Sequence, residues 1–146
     1  LEDDSDKFKE IYDRSNNYNI FNNNRDKLLS QFENISFIPL NSINLVSWIE
    51  EGFDLIWIDG AHGYPVVAMD IINSIRMINL NGVILIDDVW TQNKINDEMY
   101  QSIGAFESLL SLKEAKTIDG FDLYLKRLAP KHNVVNKQKF VGLIKI

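Results

Sequence analysis

Two apolar segments that each end in aspartate constrain the fold of this chain more than any other feature. Residues 53–58 read Phe-Asp-Leu-Ile-Trp-Ile and lead into Asp59-Gly60, and residues 83–86 read Val-Ile-Leu-Ile and lead into Asp87-Asp88. Nearly continuous apolar strands are typical of a parallel sheet covered on both faces. A helical pattern that begins near Pro65 separates the two segments and would supply their crossover connection. The sequence therefore predicts an α/β fold built on parallel strands.

Further predicted elements lie on either side of this unit. The helix after Pro65 is expected to end at Asn81-Gly82. The last two strands are separated by about a dozen residues without helical periodicity, so we expect them to form an antiparallel pair. The other predictions are helices over 5–14, 25–33, 45–49 and 97–112, and strands over 18–21, 35–40, 121–127 and 139–146.

Composition narrows the class of protein. The chain has 146 residues, enough for one domain, and its net charge of -6 argues against a nucleic-acid partner. It has no cysteine, which excludes disulfides and thiolate chemistry and fits a cytoplasmic protein. No apolar run approaches the length that spans a bilayer, so no membrane partner is expected. We expect a small-molecule substrate, and homo-oligomerisation is left open.

The aspartates at the strand ends are the strongest chemical signal. Because neighbouring parallel strands lie about 4.8 Å apart, Asp59 is expected to approach Asp87 and Asp88 at one edge of the sheet. Carboxylate oxygens are hard ligands that suit Mg²⁺, Ca²⁺ or Mn²⁺. The alternative for each aspartate is a capping role in the following turn or helix.

One histidine follows the first of these aspartates. His62 lies three residues beyond Asp59 on the same predicted loop. At the mouth of a site it is a candidate general base, and a structural role is the alternative.

These segments resemble the class I S-adenosylmethionine-dependent methyltransferases. The match is to a group with an Asp-Gly-x-His-x-Tyr turn after strand four, here residues 59–64, and an Asp-Asp pair after strand five, here residues 87–88. That group includes metal-dependent sugar O-methyltransferases and is similar in layout to catechol-type O-methyltransferases. The resemblance is good over roughly residues 35–90 and weaker to residue 146. It implies a Rossmann-like, mostly parallel sheet with an antiparallel C-terminal strand pair.

The resemblance also implies a reaction and the residues that perform it. Asp59, Asp87 and Asp88 would hold a divalent cation, with Mg²⁺ favoured, that binds the substrate oxygens. His62, or Asp59 itself, would accept the proton of a hydroxyl group. The implied substrate is a small hydroxylated molecule such as a sugar.

The resemblance identifies only part of the binding site for the cofactor S-adenosylmethionine. Asn41 and Ser42 would lie near its adenine, and Gly60 and His62 would line its site. The family's first strand and glycine-rich loop have no counterpart, because the sequence contains no Gly-x-Gly. We therefore expect residues 1–146 to be a single, N-terminally incomplete methyltransferase-like domain, or one in which a partner chain or the N-terminus fills the missing place.

Two other functions are compatible with the same residues. A non-catalytic Rossmann-like binding or assembly module would explain the missing cofactor loop. A metal-dependent glycosyltransferase also places acids at a strand end, but usually with one residue between them, whereas Asp87 and Asp88 are adjacent.

Overall fold

A computed structural model describes residues 18–47, 52–92, 103–128 and 138–146 of the chain. The chain divides into two compact units, Leu1–Asn44 and Leu45–Ile146. The helix predicted over 5–14 lies outside the described residues. Within the described part, no helix is both long and apolar enough to cross a membrane.

The first unit contains one described helix, α1 (Tyr18–Leu29). The strand predicted over 18–21 is therefore wrong, and the helix predicted over 25–33 begins earlier and ends at Leu29. A helix satisfies its backbone hydrogen bonds internally, whereas a strand needs a neighbour. The Arg25 guanidinium also donates to Asn22 Oδ1 at 3.0 Å, one turn away.

Residues 35–40 form neither a helix nor a strand, so the strand predicted there is also wrong. Pro39 lacks a backbone donor, and the Leu40 N–H donates to the Ile38 carbonyl at 2.8 Å within the same segment. A 3-10 helix, Ser42–Ser47, follows. It corresponds in part to the helix predicted over 45–49.

The second unit contains a four-stranded sheet with the order β1-β2-β4-β3. Its strands are β1 (Phe53–Ile58), β2 (Ile78–Trp90), β3 (Gly120–Leu128) and β4 (Gln138–Lys145). The predicted parallel pair, β1 with β2, and the predicted antiparallel pair, β3 with β4, are confirmed. Since β4 is also antiparallel to β2, the described sheet is mixed rather than mostly parallel.

Helix α2 (Val66–Met77) connects the two parallel strands. The helix does not continue to Asn81-Gly82 as predicted, because Ile78 is already extended and pairs with Phe53. The Met77 carbonyl accepts from the N–H of Gly52, which lies just before β1. The residues that the sequence pattern assigned to the end of the helix therefore belong to strand β2.

A second helix, α3 (Gly104–Glu114), packs beside α2 on the sheet. It covers the C-terminal part of the helix predicted over 97–112, of which residues 97–102 lie outside the described chain. Both helices contribute to one buried cluster with alternate residues of the strands. Its members are Ile58, Val67, Ile71, Ile84, Ile86, Val89, Ala105, Leu109, Ile118 and Ile144.

Candidate functional site

The loop after β1 carries the predicted catalytic residues. Ile58 ends the strand in the core, and the chain then leaves the sheet. The Asp59 side chain is about half exposed, whereas His62 is buried, and His62 Nε2 lies 3.9 Å from Asp59 Oδ1. A Cβ atom at Gly60 would lie 3.5 Å from Asp70 Oδ2, an ordinary contact distance. The loop therefore runs close to α2 and brings Asp59 and His62 together.

The aspartate pair after the second apolar segment lies in a β-bulge rather than beyond the end of a strand. Ile86 pairs with Gly142 and Val89 pairs with Phe140, so Asp87-Asp88 stands opposite a single residue of β4. Asp88 has φ +53°, a left-handed conformation that aspartate tolerates better than most residues. Bulges of this kind change the direction of side chains and often lie next to active sites.

A second bulge faces the first across β4. Leu125 pairs with Phe140 and Arg127 pairs with Lys139, which leaves Lys126 as the extra residue of β3. Lys126 donates to Asp87 Oδ2 and, at 3.1 Å, to Asp88 Oδ1. The lysine thus crosses β4 to reach carboxylates two strands away.

Lys139, on β4 itself, completes the pairing by donating to Asp88 Oδ2. The exposed fraction of the side chain is 6% for Asp87, 14% for Asp88, 10% for Lys139 and 35% for Lys126. We call these four side chains the lysine–aspartate cluster. Its two ammonium groups balance its two carboxylates, and three of the four carboxylate oxygens accept hydrogen bonds from them.

The cluster shifts the pKa of two of its members, Asp88 and Lys126. Burial alone would raise the pKa of Asp88, but the hydrogen bonds and charges of Lys139 and Lys126 outweigh it and hold that pKa below the ordinary 3.8. Burial would lower the pKa of Lys126, but its hydrogen bonds to Asp87 and Asp88 raise the value above the ordinary one. These groups therefore stay charged at neutral pH.

The surroundings of His62, in contrast, favour the neutral form of its side chain. Burial lowers its pKa below the ordinary 6.5, and the positive charge of Lys139 adds to the effect. The negative charges of Asp88, Asp59 and, least, Asp87 oppose the shift without reversing it. The imidazole is therefore neutral at pH 7 and can accept a proton, which the nearby carboxylates would stabilise.

Two buried polar atoms of this region have no hydrogen-bond partner among the described residues, His62 Nδ1 and Asp87 Oδ1. Buried polar atoms are nearly always paired in native proteins. Unpaired ones are therefore candidates for contact with ligand atoms or ordered water.

The predicted cation site is not supported by the part of the chain that the structure describes. No group of three or more acidic, histidine or cysteine side chains there could hold a metal ion. Two of the three predicted ligands, Asp87 and Asp88, are bound by ammonium groups instead. Ca²⁺ takes six to eight oxygen ligands, and Mg²⁺, which keeps several waters, is still held by one or two carboxylates. The described side chains do not fit a divalent cation.

The predicted cofactor residues are divided between the units. Asn41 and Ser42 belong to the first unit, where Asn41 Oδ1 accepts from the Ile43 N–H at 3.0 Å. Gly60 and His62 belong to the second. A Cβ atom at Gly63 would have no neighbour within 4 Å, so the loop after β1 is open on that side. This open position is next to His62, whose Nδ1 has no partner among the described residues.

Sequence reasoning missed Lys126 and Lys139. Their signal was indirect, because two adjacent buried carboxylates need positive charge nearby. Nothing in the local sequence, however, shows which lysine of the chain crosses the sheet.

Comparison with known proteins gives one match. A family model described as a methyltransferase domain matches residues 4–89, more than half of the chain. The matched range includes β1, α2 and nearly all of β2, and with them Asp59, His62 and the Asp87-Asp88 pair. No curated protein and no solved structure matches the chain.

Proposed function

The chain belongs to this methyltransferase family, and from that premise we propose that it transfers a methyl group from S-adenosylmethionine to a hydroxyl oxygen of a small molecule. A sugar is the favoured substrate class. The observation that carries the proposal is the buried, neutral His62 beside Asp59 on the open loop after β1. The lack of cysteine supports the further proposal of a cytoplasmic enzyme.

His62 is the proposed general base. In the tautomer that carries its proton on Nδ1, Nε2 is free to accept a hydrogen bond from a substrate hydroxyl. The 3.9 Å between Nε2 and Asp59 Oδ1 is too long for a direct hydrogen bond, so Asp59 acts on His62 through its charge and does not occupy the Nε2 lone pair. As the proton moves to Nε2, the charges of Asp59 and Asp88 stabilise the imidazolium that forms.

S-adenosylmethionine, when bound, supplies a methyl group that is attached to a positively charged sulfur. This methyl group transfers to an oxygen nucleophile. Gly60 and His62 are the proposed contacts. The orphaned His62 Nδ1 and the open position at Gly63 are the features that support such a ligand. No step of the proposal passes through a divalent cation.

The proposal is tested by calorimetric titration with S-adenosylhomocysteine, followed by transfer of a labelled methyl group to a panel of sugars and phenols. We expect saturable binding and label in an ether product. His62→Gln should lower the rate of transfer by about 10²-fold or more, the usual contribution of a general base. Binding of S-adenosylhomocysteine should change much less.

Tyr64→Phe is the matched control, because Tyr64 lies on the same loop but is exposed. It should transfer methyl groups at close to the wild-type rate. If the folded protein binds no S-adenosylhomocysteine, the enzyme proposal fails and the non-catalytic module becomes the better description. If His62→Gln transfers at the wild-type rate, His62 is not the base.

A further inference from the structure

The lysine–aspartate cluster occupies the position that the resemblance assigned to a divalent cation. Lys126 binds one oxygen of each carboxylate, and Lys139 binds the second oxygen of Asp88. Bridging two carboxylates by positive charge is what a metal ion does in such a place. Here two ammonium groups of the chain itself make these contacts.

Little coordination capacity remains in the cluster. Of the four carboxylate oxygens, Asp87 Oδ1 alone accepts no hydrogen bond from the described residues. A cation bound there would have one protein oxygen from this pair and would stand close to two ammonium groups. Its positive charge would be repelled by both, at distances where like charges interact strongly in a partly buried site.

The fold produces this arrangement through its two bulges. The bulge in β2 directs Asp87 and Asp88, and the bulge in β3 supplies Lys126 as an extra residue on the far side of β4. Lys139 is the first residue of β4 that pairs with β2, opposite Trp90. Its Nζ atom also lies 5.9 Å from the centre of the Trp90 ring, which favours the ammonium there.

We propose that Lys126 and Lys139 take the place of a divalent cation at Asp87 and Asp88, so that the site works without metal. The lysines are positioning residues that fix the two carboxylates beside His62. The claim that methyl transfer proceeds without metal rests on the proposed function. The claim about cation binding does not, because it concerns only the charges of the folded protein.

The test is a titration with Mn²⁺, followed by the electron paramagnetic resonance signal of the free ion, on the complete chain. The wild-type protein should leave Mn²⁺ free. The double variant Lys126→Met with Lys139→Met removes the ammonium groups that bind the carboxylates. It should bind Mn²⁺ roughly tenfold or more tightly than wild type, since affinity follows ligand charge. Lys145→Met is the matched control, because it removes an exposed lysine paired with Asp122 in the same two strands. It should bind no more Mn²⁺ than wild type.

Two outcomes of the Mn²⁺ titration overturn the proposal. One is a folded double variant, checked by circular dichroism, that gains no Mn²⁺ binding. The other is Mn²⁺ binding by the wild-type protein that disappears in the double variant Asp87→Asn with Asp88→Asn. This second measurement tests the proposal even if the double lysine variant does not fold. Methyl transfer that persists in excess chelator supports the metal-free reaction, and transfer that stops in chelator and returns with Mg²⁺ overturns it. Failure to bind S-adenosylhomocysteine would instead defeat the proposed function and leave the Mn²⁺ result standing.

Discussion

Replacing Lys139 by methionine should lower the free energy of unfolding by about 2–3 kcal/mol at pH 7. Methionine keeps most of the length of lysine, so the change removes the ammonium while leaving the packing nearly unchanged. Removing one partner of a buried pair typically costs about 3–5 kcal/mol, because the other charge stays buried alone. Asp88 would keep its 3.1 Å bond to Lys126 and is 14% exposed, so we expect a value below that range.

The assay is urea denaturation followed by circular dichroism, arranged as a double-mutant cycle with Asp88→Asn. Asparagine tolerates the left-handed backbone at this position and removes the charge. The double variant should therefore recover part of the stability lost in Lys139→Met, with a coupling energy of about 1–3 kcal/mol.

The pH dependence provides a second check. Pairing holds the pKa of Asp88 below its ordinary 3.8 in the folded state, so its contribution to stability is present above pH 3.8 and is lost as the pH falls through the folded-state value. The difference between wild type and Lys139→Met should shrink over that window. A coupling energy of zero, or a difference that does not change with pH, would refute the ion-pair reasoning. Lys145→Met, in the exposed pair with Asp122, should cause no measurable change.

Three further predictions concern the core and His62. Gly142→Ala should destabilise the fold by about 1–3 kcal/mol in denaturant, because its Cβ would lie 2.7 Å from Ile86 Cγ2; wild-type stability would show that β4 can move away. Leu109→Ala, at a fully buried position, should cost about 2–5 kcal/mol, and a loss under 1 kcal/mol would mean that the helix is not packed as described. Since burial lowers the pKa of His62, its contribution to stability is complete above pH 6.5 and is lost as the pH falls through the lowered value. His62→Gln should flatten the stability profile over that range, and an unchanged profile would show that His62 does not titrate abnormally.

The local sequence was sufficient to predict those elements whose apolar pattern agrees with the neighbours that they have in the fold. The predicted strand over 53–58, the helix after Pro65, and the two final strands are all present, with bounds shifted by a few residues. It was insufficient where a strand-like segment has no neighbour. Residues 18–21 and 35–40 have strand propensity, but the first is helical and the second is unpaired, because a strand is stable only when another strand takes its hydrogen bonds.

The sequence by itself determined that Asp59 and His62 follow one apolar segment and that the Asp87-Asp88 pair follows another, and thus that polar groups gather at one region of the sheet. Tertiary structure decided what neutralises them. Lys126 is 39 positions from Asp87 and Lys139 is 51 from Asp88, so no local pattern links them. The strand order β2-β4-β3 and the two facing bulges bring these charges into contact, because strand pairing and register are set by the whole sheet and not by any one segment.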